Sequence, residues 1–140
     1  MQKLLIIMLI LFSSSILGKN NFEGKKILCT KLLWGFEFIS SDKVNVINTN
    51  INKQTDSDEY YYELDFDLPY LNIYLSKNNL EDRIFSIHRE TLRVDIWTMT
   101  SGGITTREMI PAGLCKIIEI DNIIEYIEDM KNTISESRKN

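Results

Sequence analysis

Residues 59–68, Glu-Tyr-Tyr-Tyr-Glu-Leu-Asp-Phe-Asp-Leu, carry the clearest secondary-structure signal in the chain. Large apolar and acidic side chains alternate with a period of two, which is typical of a strand with one buried face and one solvated face. The face expected to be buried holds Tyr60, Tyr62, Leu64, Phe66 and Leu68. The solvated face holds Glu59, Tyr61, Glu63, Asp65 and Asp67. This pattern predicts an antiparallel sheet, and we expect Pro69 to end the strand because proline cannot donate to a ladder.

Further strand signals lie on both sides of this segment. Upstream, residues 27–39 are predicted to form one long strand with a bend or bulge at Gly35, and residues 44–51 a second strand. Residues 52–58 contain no apolar side chain and predict an exposed loop. Downstream, the alternation resumes at Leu71, Ile73 and Leu75, which we assign to the same buried face.

Two β-hairpins are predicted next. Strands 84–87 and 92–99 flank the connection 88–91, a length that suits a hairpin loop. Facing Ile87 with Leu92 in this hairpin would place Phe85 opposite Val94 on the core face.

The second hairpin turns at Gly102-Gly103, since glycine tolerates the backbone conformations that tight turns require. This register would place Ile96 opposite Met109 and extend the same apolar face. A short last strand, 114–118, then carries Cys115.

The hydrophobic period changes near the end of the chain. Asn122 and Glu125 have the spacing of a helical capping box. An apolar stripe at helical spacing follows, formed by Ile123, Ile124, Ile127, Met130 and Ile134. We predict one helix over residues 122–135, packed on the sheet.

The fold expected is mainly β, an antiparallel curved sheet or small barrel of about seven to eight strands with one C-terminal helix.

The first eighteen residues have the order of regions found in a secretory signal peptide. Lys3 precedes the apolar run 4–12, and Gly18 is a small residue at the expected cleavage point. An uncleaved anchor is the alternative, although a membrane-spanning helix needs about 20 apolar residues. We expect one mature domain, residues 19–140, that is periplasmic or secreted and has no transmembrane segment after cleavage.

Cys29 and Cys115 are the only cysteines in the chain. In an exported protein, two cysteines most simply form one disulfide, so we predict a bridge between them. The two cysteines lie far apart in sequence and do not form a Cys-x-x-Cys motif, and the chain contains a single histidine. These features disfavour a catalytic or metal-binding role for the cysteines. No cofactor or metal site is predicted.

Charge and motifs disfavour several classes of function. The net charge of −4 argues against a nucleic-acid partner, because phosphate binding needs clustered Lys and Arg. The acidic row between Asp56 and Asp67 lacks the spacing of an EF-hand and is expected to be a solvated face. His88 lies in a predicted turn without a nucleophile motif beside it, so a hydrolase is only a minor alternative.

Tyr61 and Trp97 fall on the faces of their strands that lie opposite the expected core. If those faces line a barrel interior or an exposed groove, the two rings could stack on a ligand or anchor a protein partner. Ordinary cross-strand packing is the competing interpretation. Together with Arg89 of the hairpin loop, they are the candidate binding residues.

We predict a non-enzymatic domain that binds a small molecule or a cell-envelope partner. The alternative is a protein-interaction or inhibitor module that acts through a hairpin loop.

Two segments support a bacterial origin. Phe-Ser-Ile-His-Arg-Glu-Thr-Leu at 85–92 and Gly-Leu-Cys-Lys-Ile at 113–117 resemble segments of small exported proteins of AT-rich marine bacteria. Those proteins have a signal peptide, an early cysteine, an apolar-x-Arg-x-Thr hairpin and a late Gly-x-Cys. The resemblance covers about a quarter of the chain and implies a periplasmic domain, but no activity.

The early and late cysteines are also similar to those of barrel-type periplasmic lysozyme inhibitors. The inhibitory Ser-Gly-x-x-Tyr loop of that family is not matched here, because Ser101-Gly102 is followed by Gly103-Ile104. An inhibitor of this kind therefore stays a minor reading of the sequence.

Overall fold

A computed structural model describes residues 22–30, 33–49 and 55–139. These residues form nine β-strands, one α-helix and a short 3₁₀ turn over Leu80–Asp82. The strands are β1 (Lys26–Cys29), β2 (Trp34–Phe38), β3 (Lys43–Asn48), β4 (Asp56–Leu64), β5 (Tyr70–Tyr74), β6 (Arg83–His88), β7 (Val94–Thr100), β8 (Gly103–Ile110) and β9 (Cys115–Ile118). Helix α1 spans Ile123–Ser137. The predicted fold class is confirmed, whereas the predicted leader, residues 1–18, lies outside the described residues.

All nine strands belong to one antiparallel sheet in the order β8-β7-β6-β5-β4-β3-β2-β1-β9. Strands β1 to β8 follow one another as a meander, and β9 pairs with β1. Residues 111–114 therefore connect one edge of the sheet to the other. A flat sheet would separate these edges by about 38 Å, whereas five chain steps reach at most about 18 Å. The sheet must curl strongly to let so short a connection join its edges.

The concave face of the curled sheet holds the main core. The ring of Phe85 on β6 lies 5.0 Å from the ring of Trp34 and 5.4 Å from that of Phe36, measured between centroids. Trp34 and Phe36 belong to β2, which is four positions away from β6 in the sheet order. These edge-to-face contacts pack distant strands against each other across the concave face. Ile27, Phe38, Val44, Leu71, Ile73 and Ile87 are among the fully buried residues of this core.

Helix α1 packs on the opposite, convex face. Ile123 and Ile127 are buried there against a second cluster that includes Leu28 and Ile47. A Cβ atom at Gly35 would lie 2.9 Å from Cδ1 of Ile123. Gly35 therefore makes room for the helix, which is a different role from the bend or bulge predicted within a long strand.

The predicted helix is confirmed, with a different end. Asn122 lies just before α1, and its side-chain oxygen accepts hydrogen bonds from the backbone N–H groups of Ile124 and Glu125. This satisfies two of the donors that a helix N-terminus leaves without a partner. The helix continues to Ser137, two residues beyond the predicted end at 135.

Two predicted boundaries upstream of β4 are wrong. The expected strand 27–39 consists of two strands, because the chain turns between Cys29 and Trp34, with Leu33 in a left-handed conformation at φ 51°. Apolar periodicity alone does not mark a turn made of such residues. The expected loop 52–58 contains the start of β4, whose residue Asp56 pairs with Asn48 of β3. Backbone pairing at this exposed end of the sheet needs no apolar side chain.

The alternation that marks β4 continues in sequence beyond the end of the strand. Strand β4 ends at Leu64, and the Asp65 carboxylate accepts hydrogen bonds from the backbone N–H groups of Asp67 and Leu68. This Asx turn reverses the chain before β5. Phe66 is consequently 93% exposed and Leu68 is 55% exposed, so assigning them to the core was wrong. Leu75 is also exposed, since β5 ends at Tyr74.

The hairpin registers differ from those predicted. Phe85 pairs with Ile96 and Ile87 with Val94, a shift of two residues that leaves the core face unchanged. The shift arises because the loop is longer than expected, with Leu92 in a left-handed conformation at φ 56°.

In the second hairpin, Ile96 pairs with Glu108 instead of Met109. Met109 lies opposite Asp95 and is half-exposed, so it does not extend the core face. An irregularity at Ile96/Trp97 separates this part of the ladder from the part nearest the turn. The sequence gives no glycine or proline signal at that point.

Candidate functional site

Two adjoining depressions lie on the convex face over strands β4 to β7. The smaller one, the Trp97 pocket, has a volume of about 330 Å³, and its lining includes Tyr70, Asn72, Arg83, Ser86, Asp95 and Trp97. The larger one, the Tyr61 groove, has a volume of about 750 Å³, and its lining includes Asp42, Tyr61, Glu63, Phe66, Tyr74 and Lys77. Asp65, Asn72 and Arg83 line both, so the two depressions are continuous.

Strand alternation brings three polar side chains together on the floor of the Trp97 pocket. Asn72 of β5 pairs with Ser86 of β6, and Ser86 pairs with Asp95 of β7. Their strand neighbours, such as Leu71 and Phe85, point to the core. All three polar residues are nevertheless buried, which is unusual for side chains on the outer face of a sheet.

Trp97 is held by this polar row. Its indole Nε1 donates a hydrogen bond to Oγ of Ser86 at 2.9 Å, and that hydroxyl donates to Oδ1 of Asn72 at 2.7 Å. The chain of hydrogen bonds fixes the orientation of the indole ring at the pocket wall. A ligand would thus meet an aromatic surface that is already in place.

A second polar group closes one side of the pocket. Nη2 of Arg93 donates to the Asp95 carboxylate at 3.1 Å and to the hydroxyl of Tyr70 at 2.7 Å. The hydrogen bond to Asp95 raises the pKa of Arg93 above its ordinary value. The charge of Asp95, which is largely buried, is therefore balanced within the protein.

Arg83 lies where the pocket and the groove meet. Its Cζ atom is 4.4 Å from the centroid of the Trp97 ring, so the guanidinium is stacked on the indole. Within the described part of the chain, the Arg83 side chain forms no ion pair and no hydrogen bond. Its Nε atom is buried without a partner.

The Tyr61 groove has a different electrostatic character. Nζ of Lys77 lies 2.9 Å from the Asp42 carboxylate, and this contact lowers the pKa of Asp42. Lys43 and Lys77 each lie 5.9 Å from the centroid of the Tyr61 ring. At its inner end, burial raises the pKa of Tyr62 to about 12. Of the charged groups that line this groove, Asp42 and Lys77 are paired with each other.

Of the predicted binding residues, Trp97 lines the pocket and Tyr61 lines the groove, whereas Arg89 lines neither. Nη2 of Arg89 donates to the backbone carbonyls of Asp65 and Leu68, at 3.3 Å and 3.1 Å. Arg89 therefore braces the turn between β4 and β5. Arg89 therefore lies apart from the continuous depressions that the two rings line.

His88 lies at the end of β6, where its Nδ1 accepts from the backbone N–H groups of Glu90 and Thr91 at 3.3 Å. Its ring packs edge-on against Tyr70, with the centroids 5.2 Å apart. These contacts give the histidine a role in the structure of its hairpin loop.

The predicted disulfide is confirmed. Cys29 and Cys115 lie directly opposite each other in the β1–β9 pair, and their Cα atoms are 4.0 Å apart. A disulfide fits a protein outside the cytoplasm. In the described ranges, no helix has both the length and the apolar character needed to cross a membrane.

Acidic and metal-ligating side chains are dispersed over the described part of the chain. Among residues 22–30, 33–49 and 55–139, no three or more His, Cys, Asp or Glu side chains are grouped so that they could hold a metal ion. The acidic row predicted to be solvated is exposed at Asp56, Asp58 and Glu59.

No protein-family model, curated protein or solved structure matches this chain. The resemblance to small exported bacterial proteins therefore stays a prediction. The function has to be inferred from the residues of the convex face.

Sequence reasoning identified Trp97 but missed the other residues that line its pocket, among them Asn72, Arg83, Ser86 and Asp95. One signal was present, because three of them are polar residues at alternating positions in otherwise apolar strands. Their juxtaposition depends on the register of three strands, which the sequence pattern did not supply.

Proposed function

We propose that this chain is an exported, non-enzymatic β-domain that binds a small molecule in the Trp97 pocket. The observation that carries the proposal is the Trp97 indole, fixed by Ser86 and Asn72 in a depression with both aromatic and hydrogen-bonding walls. Small-molecule sites typically combine apolar surface with a few placed polar groups. A wall that is already ordered also lowers the entropy cost of binding.

The dimensions of the site agree with a small ligand. The pocket of about 330 Å³ lies at the lower end of the range of ligand sites. The continuous Tyr61 groove, of about 750 Å³, gives room for a polar extension of the ligand. A ligand of this kind would contact Trp97 with its flat or apolar part and reach Tyr61 with the rest.

Export is the second part of the proposal. It is supported by the leader pattern of residues 1–18, by the Cys29–Cys115 disulfide and by the resemblance of residues 85–92 and 113–117 to small exported bacterial proteins. We place the mature domain in the periplasm or the secreted fraction of a bacterium.

The proposal predicts that Trp97→Ala abolishes ligand retention. We expect native mass spectrometry of the disulfide-intact protein, incubated with bacterial extract filtered below about 1 kDa, to reveal a small-molecule adduct. The adduct should be lost in Trp97→Ala, because the aromatic wall is removed. Tyr126→Ala is the matched control, since Tyr126 is an exposed aromatic residue on α1. Equal retention by Trp97→Ala, or no adduct on the wild type, would count against the proposal.

A protein-interaction module is the second candidate, and the turn at 65–68 favours it. Phe66 is 93% exposed on this turn. The turn itself is held by the Asp65 carboxylate from within and by Arg89 from the next hairpin. A rigidly presented aromatic side chain is typical of the residues that contribute most to a protein interface.

This second candidate predicts a different pattern of variants. A partner captured from a cell-envelope extract should be lost with Phe66→Ala and weakened with Arg89→Ala, because the first removes the anchor and the second loosens its turn. Trp97→Ala should leave the capture unchanged. Capture that survives Phe66→Ala would exclude an interface centred on this turn.

A further inference from the structure

Arg83 is a half-buried cation that forms no ion pair with any of the described residues. It lies between the Trp97 pocket and the Tyr61 groove, and within the described residues it has neither an ion-pair partner nor a side-chain hydrogen bond. A cation that loses water without gaining a partner is unfavourable, and the buried, unpartnered Nε adds to that cost. An anion from outside the chain would offset this cost.

Four of the five carboxylates that line the two depressions have other hydrogen-bond or ion-pair partners. Asp95 is paired with Arg93 at 3.1 Å, and the Asp65 carboxylate accepts two backbone N–H groups of its own turn at 3.0 Å. On the groove side, Asp42 is paired with Lys77 at 2.9 Å. Glu63 accepts a long hydrogen bond from the hydroxyl of Tyr74. No carboxylate of the described residues therefore forms an ion pair with Arg83, although several line the two depressions.

The guanidinium of Arg83 is also oriented in advance. The cation–π contact with the Trp97 ring, with Cζ 4.4 Å from its centroid, limits the positions that the guanidinium can take. The ring is itself held by Ser86. A planar fork held in this way matches the geometry of a carboxylate or a phosphate, which can accept two parallel hydrogen bonds from it.

We propose that Arg83 binds the carboxylate or phosphate group of a small ligand whose remaining part lies in the Trp97 pocket. This inference rests on the proposed function, because it names the chemical class of the ligand for the same pocket. The neighbouring Asn72 and Tyr74 add neutral polar groups beside the anion. Two of the local carboxylates, Asp95 and Asp42, are already paired with Arg93 and Lys77.

The indole N–H signals of the protein allow a direct test. Trp97 reports on the pocket, while Trp34, which packs against the core on the concave face, is an internal reference. We would titrate ¹⁵N-labelled, disulfide-intact protein with phenylacetate, phenyl phosphate and the neutral analogue phenylacetamide. We expect at least one of the two anions to shift the Trp97 indole signal and leave Trp34 in place. Phenylacetamide should bind about tenfold more weakly, since it lacks the charge.

Arg83 variants separate charge from packing. Arg83→Gln should weaken binding of the anion about tenfold, whereas Arg83→Lys, which keeps the charge but loses the planar fork, should lie between Arg83→Gln and the wild type. Arg138→Gln is the matched control, because it removes the same charge from an exposed position at the end of α1. Unfolding curves of all variants show whether a loss of binding reflects a loss of fold.

Each outcome has a separate meaning. Equal binding of phenylacetate and phenylacetamide, unchanged by Arg83→Gln, would overturn the anion site while leaving the small-molecule pocket intact. A lower melting temperature of Arg83→Gln with unchanged anion binding would mean that the Arg83–Trp97 stack only stabilises the fold, and would also overturn it. If none of the three probes shifts Trp97, both the inference and the proposed pocket fail. The difference between the phenylacetate and phenyl phosphate titrations assigns the anion to the carboxylate or the phosphate class.

Discussion

Replacing both Cys29 and Cys115 with alanine should lower the free energy of unfolding by roughly 4–5 kcal/mol. The disulfide joins residues 86 positions apart, so it strongly restricts the unfolded chain. A single domain of this size has a total stability of about 5–15 kcal/mol. The loss would thus remove a large fraction of the stability, and urea unfolding followed by tryptophan fluorescence would measure it.

The sheet topology gives this prediction a local signature. Strand β9 pairs with β1, and the disulfide joins these two strands at Cys29 and Cys115. Without the bridge, we expect the backbone amides of β9 to exchange with solvent much faster than those of the central strand β5, which is paired on both sides. Hydrogen exchange of the oxidised and reduced wild type measures this difference.

The reduced wild type is also the control for the double alanine variant, because it loses the cross-link and keeps both sulfur atoms in the core. Similar stabilities of the two proteins would assign the effect to the cross-link. A loss below about 1 kcal/mol in both would contradict the prediction. It would mean that the curled sheet keeps its edges together without help.

The fold class could be predicted because it depends on local patterns. Alternation over Tyr60, Tyr62 and Leu64 marks a strand, and the change of period at Asn122 marks the helix. The disulfide followed from cysteine counting in a chain for which export was predicted. None of these inferences needs to know which strands are neighbours.

The errors occurred where a turn contradicted the side-chain pattern. Phe66 and Leu68 continue the alternation in sequence, but the side chain of Asp65 hydrogen-bonds the next backbone amides and ends the strand. The left-handed residues Leu33 and Leu92 are a similar case, since leucine gives no turn signal. At these positions, local hydrogen bonds and tertiary packing determine the backbone conformation, and the side-chain pattern does not.

The candidate site could be predicted only in part. Trp97 and Tyr61 follow from the faces of their strands, which alternation supplies. Arg83 could not be found in this way. It is the first residue of β6, and the pairing of β6 with β5 is irregular there, between Ile73 and Tyr74. Its significance also lies in the absence of an ion-pair partner among the described residues. Such an absence is a property of the folded structure.

Phe36 and Phe66 are expected to differ strongly in their contribution to the free energy of unfolding. Phe36→Ala should cost about 3–5 kcal/mol of unfolding free energy, whereas Phe66→Ala should cost less than about 0.5 kcal/mol. Phe36 is 0% exposed and contacts the rings of Trp34 and Phe85, while Phe66 is 93% exposed. Urea unfolding of the two variants compares the same chemical change in opposite environments.

The pair tests the curl of the sheet directly. The large cost at Phe36 requires that β6 reach across the concave face to β2, since Phe85 supplies one of its ring contacts. In a flat sheet, one side of Phe36 would be open to water, and its truncation would cost much less because no cavity would form. Phe85→Ala should be destabilising to a similar degree, and the double variant should cost less than the sum of the two, because the residues share one contact. Strict additivity of Phe36→Ala and Phe85→Ala would contradict the packing across the concave face on which the curled shape of this sheet depends.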